Sequence, residues 1–365
     1  MLKVLIVEDS ALMRSQLRRL LEGEGDIQVA IARNGAEALA VIPEFEPQVV
    51  TLDVNMPEMD GLTCLGHIMR DMPRPVLMVS SITQQGSEAA VRALALGAVD
   101  VVAKPGGTMS IGIEAMRDEL LGKLRAAARA RPRRALRLRE ALRAEQAAAE
   151  QRRHSAAARA ATRGLAGLTL VGVSTGGPRT LEDILPELPA SYPQAVLVAQ
   201  HMPAGFTASF ARRLDSICAL EVVEVSTPMP LQPGRAYIGR GEADLVVEKR
   251  LGRLVANSVR SDTSLWHPSV DRLVRSALGL VPPAGLIGVQ LTGMGDDGAA
   301  AMAELRRLGG RTIAESEETA AVFGMPAELI RRGGASEVLP CDRIAAKLRQ
   351  WAVSGQAGGS SRWDS

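Results

Sequence analysis

Between residues 2 and 103, five short apolar runs (2–7, 27–32, 49–52, 76–80 and 99–103) alternate with amphipathic helical patterns. Runs this continuously apolar suit parallel strands covered on both faces, because a strand with one wet face would alternate instead. Strand and helix repeating in this order wind into an open parallel α/β sheet, whose functional groups gather at the carboxyl ends of the strands. Those ends carry chemistry here: Glu8 and Asp9 after the first run, Asp53 after the third, Ser80 closing the fourth and Lys104 after the fifth.

Three carboxylates brought together repel one another unless a hard divalent cation joins them, and Mg²⁺ is the natural occupant of an all-oxygen site. A metal beside a carboxylate nucleophile suits phosphoryl transfer, with the lysine offsetting the developing negative charge. Acidic residues that merely line strand ends would not also bring a lysine and a serine to the same place.

The stretches Val4-Leu-Ile-Val-Glu-Asp-Ser10, Asp53-Val-Asn-Met-Pro-Glu-Met-Asp-Gly61, Val79-Ser-Ser81 and Ala103-Lys-Pro105 resemble a response-regulator receiver domain over residues 1–122. The resemblance implies a flavodoxin-like fold in which Asp53 accepts a phosphoryl group from a histidine kinase. It further implies that Glu8, Asp9 and Asp53 with the Asn55 carbonyl hold Mg²⁺, and that Ser80 and Lys104 contact the phosphoryl group. Val101 stands where receivers often carry an aromatic switch residue, which argues against signalling through a rotating ring.

Past residue 122 the composition turns to alanine, arginine and glutamine with almost no large apolar side chain, as expected of a helical or disordered linker over 123–165. A second α/β pattern fills 166–353, with strands expected at 168–173, 195–199, 221–225, 235–238, 243–247, 286–291 and 312–314. The Gly/Ser-rich tail 354–365 is expected to be disordered.

The first run of this second domain ends in a glycine-rich turn that carries Ser174, then resumes as an amphipathic segment from Arg179. Strand, tight turn and helix point backbone N–H groups and a helix dipole at whatever lies above, which serves either a phosphate or a serine nucleophile with an oxyanion hole. A serine needs a base. Of the four histidines, His67 falls in the receiver and His154 in the linker, leaving His201 and His267. His201 closes the strand after the serine's own and is favoured by position; His267 precedes a helix and could cap it or line a cleft. The turn after 286–291 offers Asp296 and Asp297 side by side as the orienting carboxylate, and spacing does not choose between them.

Gly172-Val-Ser-Thr-Gly-Gly-Pro178, Gln200-His-Met-Pro203, His267-Pro-Ser-Val-Asp271, Leu291-Thr-Gly-Met-Gly-Asp-Asp-Gly298 and Val322-Phe-Gly-Met-Pro326 resemble the chemotaxis protein-glutamate methylesterase and protein-glutamine glutaminase family. The resemblance implies a Rossmann-like hydrolase of receptor glutamate methyl esters, with Ser174 as nucleophile, His201 as general base and Asp297 as orienting acid. Backbone N–H groups near Thr175 and Met294 should hold the oxyanion, and ester hydrolysis should need no cofactor. Fusion to a receiver suggests that the unphosphorylated residues 1–122 cover the cleft and that phosphorylation of Asp53 opens it.

Composition narrows the alternatives. With 43 basic and 41 acidic residues the net charge is +2, so the chain as a whole is no polyanion binder, and aromatic residues at 2% are too few for base-stacking platforms. A DNA-binding output domain would need a helix-turn-helix pattern, and a nucleotide-binding one a P-loop lysine or a third spaced glycine; neither pattern occurs. Three scattered cysteines, Cys64, Cys218 and Cys341, suit a reducing compartment, and the first residues lack the features of a signal peptide. A cytoplasmic monomer without membrane insertion is expected, with chemoreceptors and a histidine kinase as partners.

Overall fold

The structure is a computed structural model that describes residues 1–105, 109–130, 164–261 and 266–354. The chain divides into two compact units, Met1–Leu138 and Arg139–Ser365. Most of the expected linker, His154 included, and all but the first residue of the expected tail lie outside the described residues. No helix among the described residues is long and apolar enough to cross a membrane.

In the first unit β1 (Leu2–Val7), β2 (Ile27–Ala32), β3 (Val49–Asp53), β4 (Val76–Ser80) and β5 (Asp100–Ala103) form a parallel sheet in the order β2-β1-β3-β4-β5. The chain begins at β1 and builds outward on both sides, so the switch point between β1 and β3 falls where Glu8, Asp9 and Asp53 emerge. Helices α1 (Ala11–Glu22), α2 (Gly35–Phe45) and α3 (Gly61–Asp71) start at Ser10, Asn34 and Asp60, whose side chains accept the N–H groups of Met13, Glu37 and Thr63. Gly61 is required by proximity: a Cβ there would lie 2.0 Å from the Asp53 carbonyl oxygen. α4 spans Gln84–Leu96, and α5, Met109–Arg129, runs past the expected linker boundary at 122. Lys123 explains the extension. Its buried ammonium donates to the Val101 carbonyl at 2.7 Å and pairs with Asp100 and Glu119, tying the helix to β5. Burial opposes its charge, but the two carboxylates outweigh that and hold its pKa above the ordinary value.

The second unit contains a seven-stranded sheet, also parallel: β6 (Leu168–Val173), β7 (Ala195–Gln200), β8 (Glu221–Val225), β10 (Arg235–Gly239), β13 (Leu286–Gln290), β14 (Arg311–Glu315) and β15 (Glu337–Leu339) in the order β15-β14-β13-β6-β7-β10-β8. β6, β7 and β13 are buried along their whole lengths, as strands sandwiched between helix layers must be. β6 again marks the switch point, with β7 on one side and β13 on the other.

One part of this unit departs from the purely parallel reading. β9 (Met229–Pro230), β11 (Ala243–Arg250) and β12 (Arg253–Arg260) form a separate antiparallel sheet in the order β11-β12-β9. The segment at 243–247 therefore belongs to a hairpin, whose two-residue turn puts Leu251 and Gly252 at φ 49° and 78°. That turn normally shows as Asn-Gly or Asp-Gly, and a leucine in its first position hides it.

Candidate functional site

In the first unit Asp53 is 4% exposed and its Oδ1 accepts the Val54 N–H at 2.7 Å. Lys104 Nζ lies 2.8 Å from Asp53 Oδ2 and 2.8 Å from Glu8 Oε2, bridging two strand ends. Burial pushes both carboxyls above their ordinary values against the pull of Lys104; burial likewise disfavours the lysine's charge, yet the two carboxylates hold its pKa up. Oxygens of Glu8, Asp9 and Asp53 approach one another within 4.8 Å. Three carboxylates against one ammonium leave a surplus of negative charge among hard oxygen donors, which fits Mg²⁺. Ser80 is fully buried and its hydroxyl donates to the Gly86 carbonyl at 3.2 Å, while Asn55 is exposed beside Asp53.

In the second unit Ser174 follows β6 and His201 follows β7, and the register Val173↔Gln200 makes them neighbours across the strand ends. His201 N–H donates to the Val173 carbonyl at 3.0 Å. Gln200, fully buried, donates from Nε2 to the carbonyls of both Ser174 and His201 at 3.0 Å, fastening the two turns together. Nothing in the local pattern around Gln200 signals that role.

Asp297 leaves the turn after β13 and meets His201 Nε2 with Oδ2 at 2.9 Å. A carboxylate can only accept, so Nε2 carries the hydrogen in this contact. The other ring nitrogen, Nδ1, is buried and has no partner among the described residues, the Ser174 hydroxyl included. Asp297 also accepts from Ser269 Oγ (3.1 Å), Val270 N–H (2.7 Å) and Asp271 N–H (3.0 Å), at the start of the helix Val270–Leu278. Burial penalises its charge, but His201 and these N–H groups prevail and hold its pKa below the ordinary value.

Asp296 goes elsewhere. Its side chain is 67% exposed and pairs with Arg332 at 3.1 Å. His267 also stands outside the Ser174 cluster; its Nδ1 meets the fully buried Asp244 at 2.9 Å, beside Arg272 at 2.7 Å.

The turn that carries Ser174 is held by Thr292, whose part in it the residue pattern does not signal. The Thr292 carbonyl accepts the Ser174 N–H at 2.9 Å, its hydroxyl donates to the Thr175 carbonyl at 2.9 Å, and its N–H donates to the buried Glu315 at 2.9 Å. The next residue, Gly293, packs against Ser174: a Cβ on it would lie 2.6 Å from Ser174 Cβ. Met294 comes next and is half-buried, so the turns carrying Thr175 and Met294 flank Ser174 from β6 and β13.

Trp266, also unremarked in the sequence, stacks on His201 with ring centroids 5.6 Å apart and planes 11° from parallel. It borders a cleft of about 670 Å³ that reaches Asp297, Asp296, Arg272, Arg275 and Arg332. Ser174 and His201 do not line this cleft, which meets their cluster at Asp297 and Trp266.

The model of the CheB methylesterase family matches residues 169–348, and that of the response regulator receiver domain matches residues 4–112. A protein-glutamate methylesterase/protein-glutamine glutaminase of Rhodospirillum rubrum is 54% identical over 356 residues, covering 96% of each chain. A second, of Rhodopseudomonas palustris, is 52% identical over 96% of this chain and 98% of its own. One of Carboxydothermus hydrogenoformans is 46% identical over 95% of this chain and 98% of its own.

Proposed function

The chain belongs to the CheB family of receiver-linked protein-glutamate methylesterases/protein-glutamine glutaminases, and on that premise we propose that Ser174, His201 and Asp297 are its catalytic triad. The enzyme hydrolyses γ-glutamyl methyl esters on chemoreceptors and deamidates receptor glutamines, under control of phosphorylation of its receiver, and so serves adaptation in chemotaxis.

Ser174 Oγ attacks the ester carbonyl while His201 Nδ1 takes its proton. Asp297 keeps the hydrogen on Nε2 and stabilises the imidazolium, without itself accepting the proton. Backbone N–H groups in the turns of Thr175 and Met294 receive the oxyanion. The tetrahedral intermediate collapses, the C–O bond to the methoxy group breaks, and His201 returns the proton so that methanol leaves. Water then attacks the acyl-serine with His201 again as base, releasing the glutamate carboxylate and regenerating Ser174. With a glutamine side chain the same steps release ammonia.

In the receiver, Glu8, Asp9 and Asp53 with the Asn55 carbonyl would hold Mg²⁺, which neutralises charge on the incoming phosphoryl group. Asp53 accepts that group from the system's histidine kinase, and Lys104 pairs with it. The buried thiols Cys64, Cys218 and Cys341 support action in the reducing cytoplasm.

The observation that carries the triad is Asp297, four times a hydrogen-bond acceptor and in contact with the base that stands beside Ser174 in the strand register. Methanol release from methylated receptor, with and without phosphodonor, tests the reading. Ser174→Ala should abolish it, and near-normal release from that variant would sink the assignment.

A further inference from the structure

The His201 ring is held at more places than a triad requires. Its Nε2 edge is fixed by Asp297, and the Trp266 indole makes an offset stack on one face, with centroids 5.6 Å apart and planes 11° from parallel. The indole is itself held in place. The turn from Trp266 to Asp271 is gripped from one side by Asp244, which takes His267 Nδ1 at 2.9 Å and the Ser269 N–H at 2.8 Å. From the other side it is gripped by Asp297, through Ser269 Oγ and the N–H groups of Val270 and Asp271. The carboxylate that orients the imidazole edge thus also anchors the segment that covers the imidazole face.

Resting on the reading of His201 as general base, we propose that Trp266 is a positioning residue for it, whose π face fixes the plane of the imidazole and favours the cation formed when Ser174 gives up its proton. The indole face carries negative electrostatic potential, so stacking strengthens as the imidazole becomes cationic, which is the change that occurs on the way to the tetrahedral intermediate. An apolar side chain of similar bulk would keep water away equally well but would lack that face. The charged groups around the pair are Asp297 on Nε2 and, on the adjoining helix, Asp271 with Arg275 at 3.6 Å; Asp296 turns out to Arg332, and Asp244 is engaged by His267 and Arg272. Substituting Trp266 removes none of these groups.

Full-length protein with labelled histidines allows His201 to be titrated by NMR, its signal being the one lost in His201→Asn. In Trp266→Leu the titration midpoint should move down by about half a pH unit, and in Trp266→Phe it should stay near wild type. Methanol release should show kcat down about tenfold in Trp266→Leu with KM nearly unchanged, and largely restored in Trp266→Phe. If Trp266→Leu does not fold, Trp266→Met, which fills space without a π face, takes its place. Superimposable titrations overturn the proposal, as does an upward shift, which would make the indole a water shield only, or a loss that Trp266→Phe fails to restore. Because the titration is read without turnover, a chain that shows the shift but hydrolyses no ester would sink the functional reading and leave this one standing.

Discussion

Asp297 Oδ2 accepts the Val270 N–H at 2.7 Å and is the same oxygen that holds His201 Nε2 at 2.9 Å. The helix Val270–Leu278 therefore begins against the carboxylate that holds the His201 ring, and its first N–H groups supply fixed positive partial charge. Despite burial, His201 and these N–H groups hold the Asp297 carboxyl below its ordinary pKa.

The two adjacent aspartates should therefore separate cleanly. Asp297→Asn, which permits the wrong imidazole tautomer, is expected to lower kcat for methanol release by roughly 10³–10⁴. Asp296→Asn, which removes only a surface pair with Arg332, should change it by less than about twofold. A collapse confined to the Asp296 variant would reverse the assignment.

The same contacts make a pH prediction. The folded-state pKa of Asp297 is depressed, so its contribution to stability is full above the ordinary value of 3.8 and is lost as pH falls through the lower folded value. Urea denaturation should show wild type more stable than Asp297→Asn at neutral and mildly acidic pH, with the contribution of the ionised Asp297 carboxylate lost only as pH falls below 3.8. A gap that already closes at neutral pH would contradict the burial and donor set described for this carboxylate.

Gly293→Ala should damage the nucleophile through space. Its new Cβ would stand 2.6 Å from Ser174 Cβ and 2.4 Å from Met325 Sδ, well inside van der Waals contact. The turn must shift, with kcat falling about 10²-fold or more and about 1–3 kcal/mol of stability lost in chemical denaturation. Gly66→Ala, in open space on α3, is the matched control; it should leave kcat unchanged and raise stability by roughly 0.5–1 kcal/mol.

For the receiver, Asp53→Asn should abolish the response of methanol release to phosphodonor while leaving the unstimulated rate near wild type. Mg²⁺ should raise the thermal midpoint of the wild-type chain, because it relieves repulsion among Glu8, Asp9 and Asp53, and should raise it less in Asp9→Asn. Equal Mg²⁺ shifts in both proteins would place the ion elsewhere.

Much of the fold was legible because backbone burial writes itself into local pattern. The strands of the first unit were expected at their observed positions to within a residue, since strands buried on both faces are continuously apolar. The hairpin β11–β12 was not, because its turn carries Leu251 where the local code would show glycine or asparagine. The roles of Gln200, Thr292 and Trp266 were illegible for a different reason: each acts on a partner distant in the chain, as Thr292 does on Thr175 across 117 positions.

By itself the sequence determined two parallel α/β layers with a carboxylate–lysine cluster at one set of strand ends and a serine, two histidines and paired aspartates at another, because hydrophobic period and turn chemistry are local properties. Spacing left open which members of that second set meet; the family resemblance implied Ser174, His201 and Asp297, and the tertiary structure shows the contact between His201 and Asp297. The strand order puts β6 between β7 and β13, so Ser174, His201 and the turn of Asp296 and Asp297 converge from three strands. Within that turn the start of the Val270–Leu278 helix offers its N–H groups to Asp297, while Asp296 is left at the surface with Arg332. A contact between residues 96 positions apart depends on how strands are ordered and helices docked, and no window of the chain contains that information.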